Sequence, residues 1–116
     1  MFDAKFRDLL TEAEGNRLGM ARRWLSHGEL DAYIRIGPKL VGDDYVSCVQ
    51  IASVSISNEH AQRKGMFTDM LKRIRAATNR PIYMESVQNR EFGDALLRRG
   101  FEVVRDEVVT RDLLLR

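Results

Sequence analysis

Val49–Ser57 reads VQIASVSIS, Asn58–Ala61 reads NEHA, and Gln62–Phe67 reads QRKGMF. The first run is apolar and rich in β-branched residues, which predicts a strand. The second is a polar loop. The third is a basic turn that opens an amphipathic helix, because Phe67, Met70, Leu71 and Ile74 recur at helical spacing. A strand feeding a helix through a glycine turn gathers several unpaired backbone N–H groups at one point. Such a point suits a diphosphate. The helix dipole favours an anion, Arg63 and Lys64 add positive charge, and Gly65 lets the anion approach without a side chain in the way. A plain strand-to-helix turn with solvated basic residues fits the same letters. The pattern is not a nucleotide P-loop, which needs G-x-x-x-x-G-K-[ST], and it lacks the three glycines of a dinucleotide fingerprint.

Further elements flank this stretch on both sides. Upstream, Phe2, Phe6, Leu9, Leu10 and Ala13 mark a helix over residues 2–14, and Leu18, Ala21 and Leu25 mark a second one that ends at His27-Gly28. Met20 and Trp24 pair on a neighbouring face of that second helix, with Trp24 expected in the core. Glu29–Ile36 alternates and predicts a half-buried strand. Tyr45–Ser57 is apolar on both faces and predicts a central strand with a layer on each side. Downstream, residues 66–78 are helical and end at Asn79-Arg80-Pro81. Ile82–Val87 is a strand, and Asn89 caps a helix over Arg90–Arg99 that ends at Gly100. Phe101–Val104 and Val108–Leu115 close the chain as an antiparallel pair. The order α-α-β-β-α-β-α-β-β predicts an α/β fold, a mixed sheet with helices on both faces.

The 116 residues predict a single domain: a helical part over 1–28, a core over 29–104 and a last strand over 105–116. Hydrophobic residues make up 44%, enough for a core. The net charge is +2 and the pI about 8.9. Arginine outnumbers lysine 15 to 4, a bias that suits bidentate contacts with phosphate or carboxylate but also follows from genomic composition. The basic residues are spread along the chain, so a dedicated nucleic-acid patch is not indicated. Cys48 is the single cysteine and lies in an apolar run, which predicts a buried, inert thiol. The N-terminal letters MFDAKFRDLL read as neither a signal peptide nor a membrane span, and a cytoplasmic location is expected. One cysteine and two histidines without close spacing do not predict a metal site.

Glu85 interrupts the strand IYMESV. A carboxylate there is either a general base that takes a proton from an ammonium group, directly or through water, or a strand-end charge that is solvated or paired with a neighbouring arginine. His60 titrates in a useful range but sits in a loop, where histidines are usually solvated. Tyr33, Tyr45 and Tyr83 read as strand residues with buried rings, and each is also a possible acid.

Gln62-x-x-Gly65 after a central strand, then a helix, a strand, Asn89, a short helix and Arg99-Gly100-Phe101, resembles the GNAT superfamily of acetyl-CoA-dependent N-acyltransferases. The resemblance covers about residues 29–104. It implies that backbone groups near Ile56 and Ser57 pair with the pantetheine arm of acetyl-CoA as an added strand. It implies that Gln62, Arg63, Lys64, Gly65, Met66 and Phe67 form the pyrophosphate loop, and that Asn89 lies near the thioester. The strands carrying Ser57 and Glu85 would splay, an amine would attack the thioester carbonyl directly, and a backbone N–H would polarise that carbonyl. Glu85 would be the base. Phe67 stands where the family usually has Gly or Ala, and Leu96 where it often has an acidic Tyr. The alternative is a degenerate, non-catalytic acyltransferase fold that acts as a protein-binding module. The acceptor would be an amine on a small molecule or a protein, and a homodimer through Val108–Leu115 is an option.

Overall fold

The computed structural model describes residues 1–56, 65–107 and 110–116. Helix α1 is Phe2–Glu14, followed by strands β1 (Ala21–His27), β2 (Leu30–Val41) and β3 (Asp44–Ile56). Helix α2 (Met66–Ala77), strand β4 (Ile82–Val87), helix α3 (Arg90–Arg98), and strands β5 (Glu102–Asp106) and β6 (Arg111–Leu115) complete the order. The six strands form one mixed sheet in the order β1-β2-β3-β4-β6-β5. Every neighbouring pair is antiparallel except β3 with β4. That parallel pair is joined through α2, as a crossover requires.

Two expectations are corrected. Residues 21–27 form an edge strand, not a second helix. Ala21 and Leu25 do point into the core, but the inward position between them holds Arg23, whose guanidinium reaches Glu12 on α1 at 3.1 Å. A charged residue at an inward site hides the period of two and leaves a spacing that mimics a helix turn. Gly28 (φ +61) belongs to a two-residue hairpin loop between His27 and Leu30, not to a helix cap. Trp24 therefore leaves the core: it is 57% exposed and tilts against Tyr33 across the strand pair, ring centroids 5.3 Å apart.

The second correction concerns layers. The buried residues of α1, α2 and α3 all join one core with Leu30, Ala32, Ile34, Ile36, Val49, Ile51, Ile82, Met84 and Leu113. The described helices thus cover one face of the sheet. The other face has only a small cluster of Cys48, Tyr83 and Leu114, with Val41 and Val104 beside it. Long polar side chains shield that cluster where a helical layer was expected. Lys39 Nζ, for example, lies 5.1 Å from the centre of the Tyr83 ring.

The turns and caps follow their letters more closely. Asn89 Oδ1 accepts the Phe92 N–H at 3.0 Å, as an N-cap should. At the other end of α3 the cap is Arg99. Phe101 N–H donates to Leu96 O and Gly100 N–H to Leu97 O, the two bonds of a Schellman ending. Strand β6 is paired on both sides, to β4 and β5, and Leu113 and Leu114 are buried. Within Arg111–Leu115 both edges of β6 are therefore taken by neighbouring strands.

Candidate functional site

Strands β3 and β4 pair over only three positions, Val49↔Ile82, Gln50↔Tyr83 and Ile51↔Met84. Val49 N–H donates to Pro81 O at 2.9 Å at the closed end. Beyond Met84 the strands part. Strand β3 runs on to Ile56 while still paired to β2, and Val87 of β4 is paired to β6. Only the facing edges are left open. Between them is a cleft of about 390 Å³ bordered by Ser53, Val54, Glu85, Val87, Asn89 and Phe92 among others.

The opening has local causes. Opposite the step from Tyr33 to Ile34, β3 goes from Ile51 to Ser53, so Ala52 is an extra residue and the strand is bulged there. Opposite Leu113 to Arg111, β4 goes from Met84 to Val87, one residue more than its partner. Bulges bend the strand that carries them. Ser86 within the second bulge has φ +54, a conformation that a residue with a side chain holds only under constraint. The constraint is Asp112, buried on β6. Its carboxylate accepts the Ser86 N–H at 2.8 Å and the Tyr83 hydroxyl at 2.5 Å. Burial first, then the Asp112 carboxylate, pushes the Tyr83 phenol above its ordinary range, so it is no ready proton donor near neutral pH.

Helix α2 starts beside the cleft. Phe67, in its first turn, meets Phe92 edge to face with centroids 5.0 Å apart, and Phe92 borders the cleft. The helix has no side-chain cap, and Gly65 before it is left-handed (φ +71) with open space around it. Among the described residues, no side chain accepts from its first N–H groups. The start of α2 is also tied down on the opposite side. A Cβ on Gly28 would come within 2.7 Å of Met66 Cε, so the β1–β2 turn packs directly on Met66. His27 Nε2 lies 2.7 Å from Asp69 Oδ2, and Arg73 bridges Asp69 and Asp3, each at 2.8 Å. Those hydrogen bonds, from Arg73 first and then His27, hold the Asp69 carboxyl below its usual value.

The expected site residues divide as follows. Ser57, Gln62, Arg63 and Lys64 lie outside the described residues, as does His60. Ile56 ends β3, and Gly65, Met66 and Phe67 start α2. Asn89 caps α3 and borders the cleft. Glu85 borders the cleft and is also half of an ion pair. Arg35 donates to its carboxylate, and Lys39 Nζ stands 3.5 Å away. Leu96 is 1% exposed in the main core. Tyr45 is exposed, not buried.

Sequence reasoning missed Asp112, Arg35 and Lys39. Their letters carry no motif, and only strand register brings them to Glu85 and Ser86. Among the described residues, no group of three or more His, Cys, Asp or Glu is placed to hold a metal, and no helix is long and apolar enough to cross a membrane. No protein-family model matches the chain and no curated protein matches it.

Proposed function

We propose that the protein is an N-acyltransferase of the GNAT type that binds acetyl-CoA in the cleft between β3 and β4 and transfers acetyl to an amine. The observation that carries this reading is the parting of two parallel strands after three pairs, beside an uncapped helix start. The facing edge of β3 beyond the Ala52 bulge offers backbone N–H and C=O groups to an extended pantetheine arm. The first turn of α2, entered through Gly65, offers N–H groups to the pyrophosphate. Acetyl-CoA supplies the thioester. Glu85 at the rim takes a proton from the ammonium, directly or through water. The neutral amine then attacks the thioester carbonyl, which a β3 backbone N–H polarises. The C–N bond forms, the C–S bond breaks and coenzyme A leaves as the thiolate. Gln62, Arg63 and Lys64 complete the pyrophosphate loop in this proposal, and Asn89 keeps the far wall of the cleft in place.

Leu96 favours a second reading. Where the family often carries a Tyr that protonates the leaving thiolate, this chain buries an aliphatic side chain in the core. A non-catalytic fold that binds a partner protein would tolerate that change. Thermal-shift titration separates the two. Acetyl-CoA at a hundredfold over its Kd would stabilise the chain by about 2.7 kcal/mol. That is a rise in Tm of roughly 10 °C for a domain of this size. Gly65→Val, which puts a β-branched residue at a left-handed position beside the pyrophosphate, should remove most of the rise. No shift at millimolar acetyl-CoA or CoA overturns the enzyme and leaves the binding module.

A further inference from the structure

The sheet face without helices carries a hollow of about 420 Å³ whose borders include Met20, Arg22, Arg35, Pro38, Lys39 and Gln50. Three of these are cations, and among the described residues no carboxylate borders the hollow. The register explains the grouping: Arg22 sits opposite Arg35, and Arg35 opposite Gln50. Like charges placed across a strand pair are destabilising unless an anion answers them. Glu85 answers only part of the charge, since it is shared by Arg35 and Lys39. Arg22 has no acidic partner among the described residues, and the Arg35 Nε is buried with no hydrogen-bond partner there. The Gln50 amide is occupied by the Gly37 carbonyl at 3.2 Å, so it shapes the wall and leaves the cations to bind.

We infer that this hollow binds the anionic group, carboxylate or phosphate, of the acceptor. Resting on the acyltransferase reading, this narrows the acceptor to an amine that carries a negative charge at a distance. Arg35 and Lys39 border the hollow and also contact Glu85, which borders the cleft one strand beyond β3. From β2 to β4 is two strand spacings, roughly 10 Å. Because the Arg35 and Lys39 head groups already touch Glu85, the seat for the anion is the Arg22 end of the hollow. An acceptor held there presents an amine to Glu85 if amine and anion are about 10 Å apart. Extended triglycine has that span.

The test is a binding measurement on the full chain without acetyl-CoA. Triglycine, triglycinamide and inorganic phosphate are titrated at matched ionic strength while backbone amide resonances are followed. The expected result is saturable shifts at Ala21–Arg22, Arg35–Gly37, Lys39 and Gln50 with triglycine and with phosphate. Triglycine alone also moves Glu85 and Ser86, and triglycinamide binds at least tenfold more weakly. Arg22→Gln, at an exposed site whose loss leaves the core intact, should weaken phosphate by several-fold. Equal shifts from the acid and its amide, non-saturable shifts, or an unchanged Arg22→Gln variant overturn the assignment. Acetyl-CoA reads out on other amides, those of Ala52–Val54 and Met66–Phe67. A chain that binds triglycine in the hollow but shows no such response to acetyl-CoA loses the acyltransferase reading and keeps the anion site.

Discussion

Replacing Asp112 by alanine removes the acceptor of one buried and one half-buried hydrogen bond at once. The Tyr83 hydroxyl and the Ser86 N–H both end on its carboxylate, and Tyr83 and Asp112 are buried. A buried donor left without a partner costs about 1–3 kcal/mol and a half-buried one less, so Asp112→Ala should destabilise the chain by about 3 kcal/mol. With a urea slope of about 1.5 kcal/mol per molar, the unfolding midpoint falls by roughly 2 M. Asp112→Asn keeps one acceptor for Ser86 but loses the charge, so about half that cost is expected. The apportioning is checked by a double-mutant cycle. Tyr83→Phe should be harmful in the parent and close to neutral in the Asp112→Ala background, because the orphaned hydroxyl is then gone. The same variant should blunt the acetyl-CoA thermal shift, since Ser86 loses the bond that holds its left-handed conformation at the cleft wall. A loss below 1 kcal/mol, or additive effects of the two substitutions, would refute the claim that this carboxylate pins the bulge.

Two further outcomes follow from ionisation. Burial pushes the Cys48 thiol up to about 11, only partly opposed by Lys39. In the native protein it should resist iodoacetamide at pH 8 and react promptly once urea unfolds the chain, as mass spectrometry would show. Because the thiol ionises more readily unfolded than folded, stability should also fall as the pH rises from about 9 toward 11. Asp69 shifts the other way, lowered by Arg73 first and by His27 second. Its contribution is present above the ordinary carboxylate range near about 4 and is lost as the pH falls through the lower folded value. Asp69→Asn should therefore flatten the acid limb of stability against pH in urea melts between pH 5 and 2.5. An unchanged limb would show that the His27–Asp69–Arg73 bridge is solvated and idle.

The path from letters to fold was clearest where one physical signal dominated. Helix α2 follows from the buried spacing of Met70, Leu71 and Ile74, and α3 from a capping asparagine and a glycine beyond its end. Strand β4 and the pairing of the last two strands were legible as well. Strand β1 was not, because Arg23 occupies an inward position on the strength of a tertiary ion pair with Glu12. The single helical layer was not legible either. Apolar letters on both sides of β3 look alike whether a helix or a lysine stem covers them, and Cys48 and Tyr83 lie under the latter. The candidate site shows the same division. Gly65 and Asn89 could be picked out from local rules for turns and caps, and Glu85 from its misfit in a strand. Its cationic partners could not, since Arg35 is 50 residues away in the chain.

Local chemistry alone dictated most of the turns, which stretches outside β1 alternate or coil, and that a helix begins just past a glycine after an apolar strand. Those features depend on neighbours within a few residues, and the letters carry them directly. Whether β3 and β4 separate, and what stands at the rim, was settled only by long-range register. Two one-residue mismatches, against β2 and against β6, bend the strands apart, and the Asp112 carboxylate holds the second bend. A mismatch of register is a relation between strands, so no single segment of the sequence can contain it.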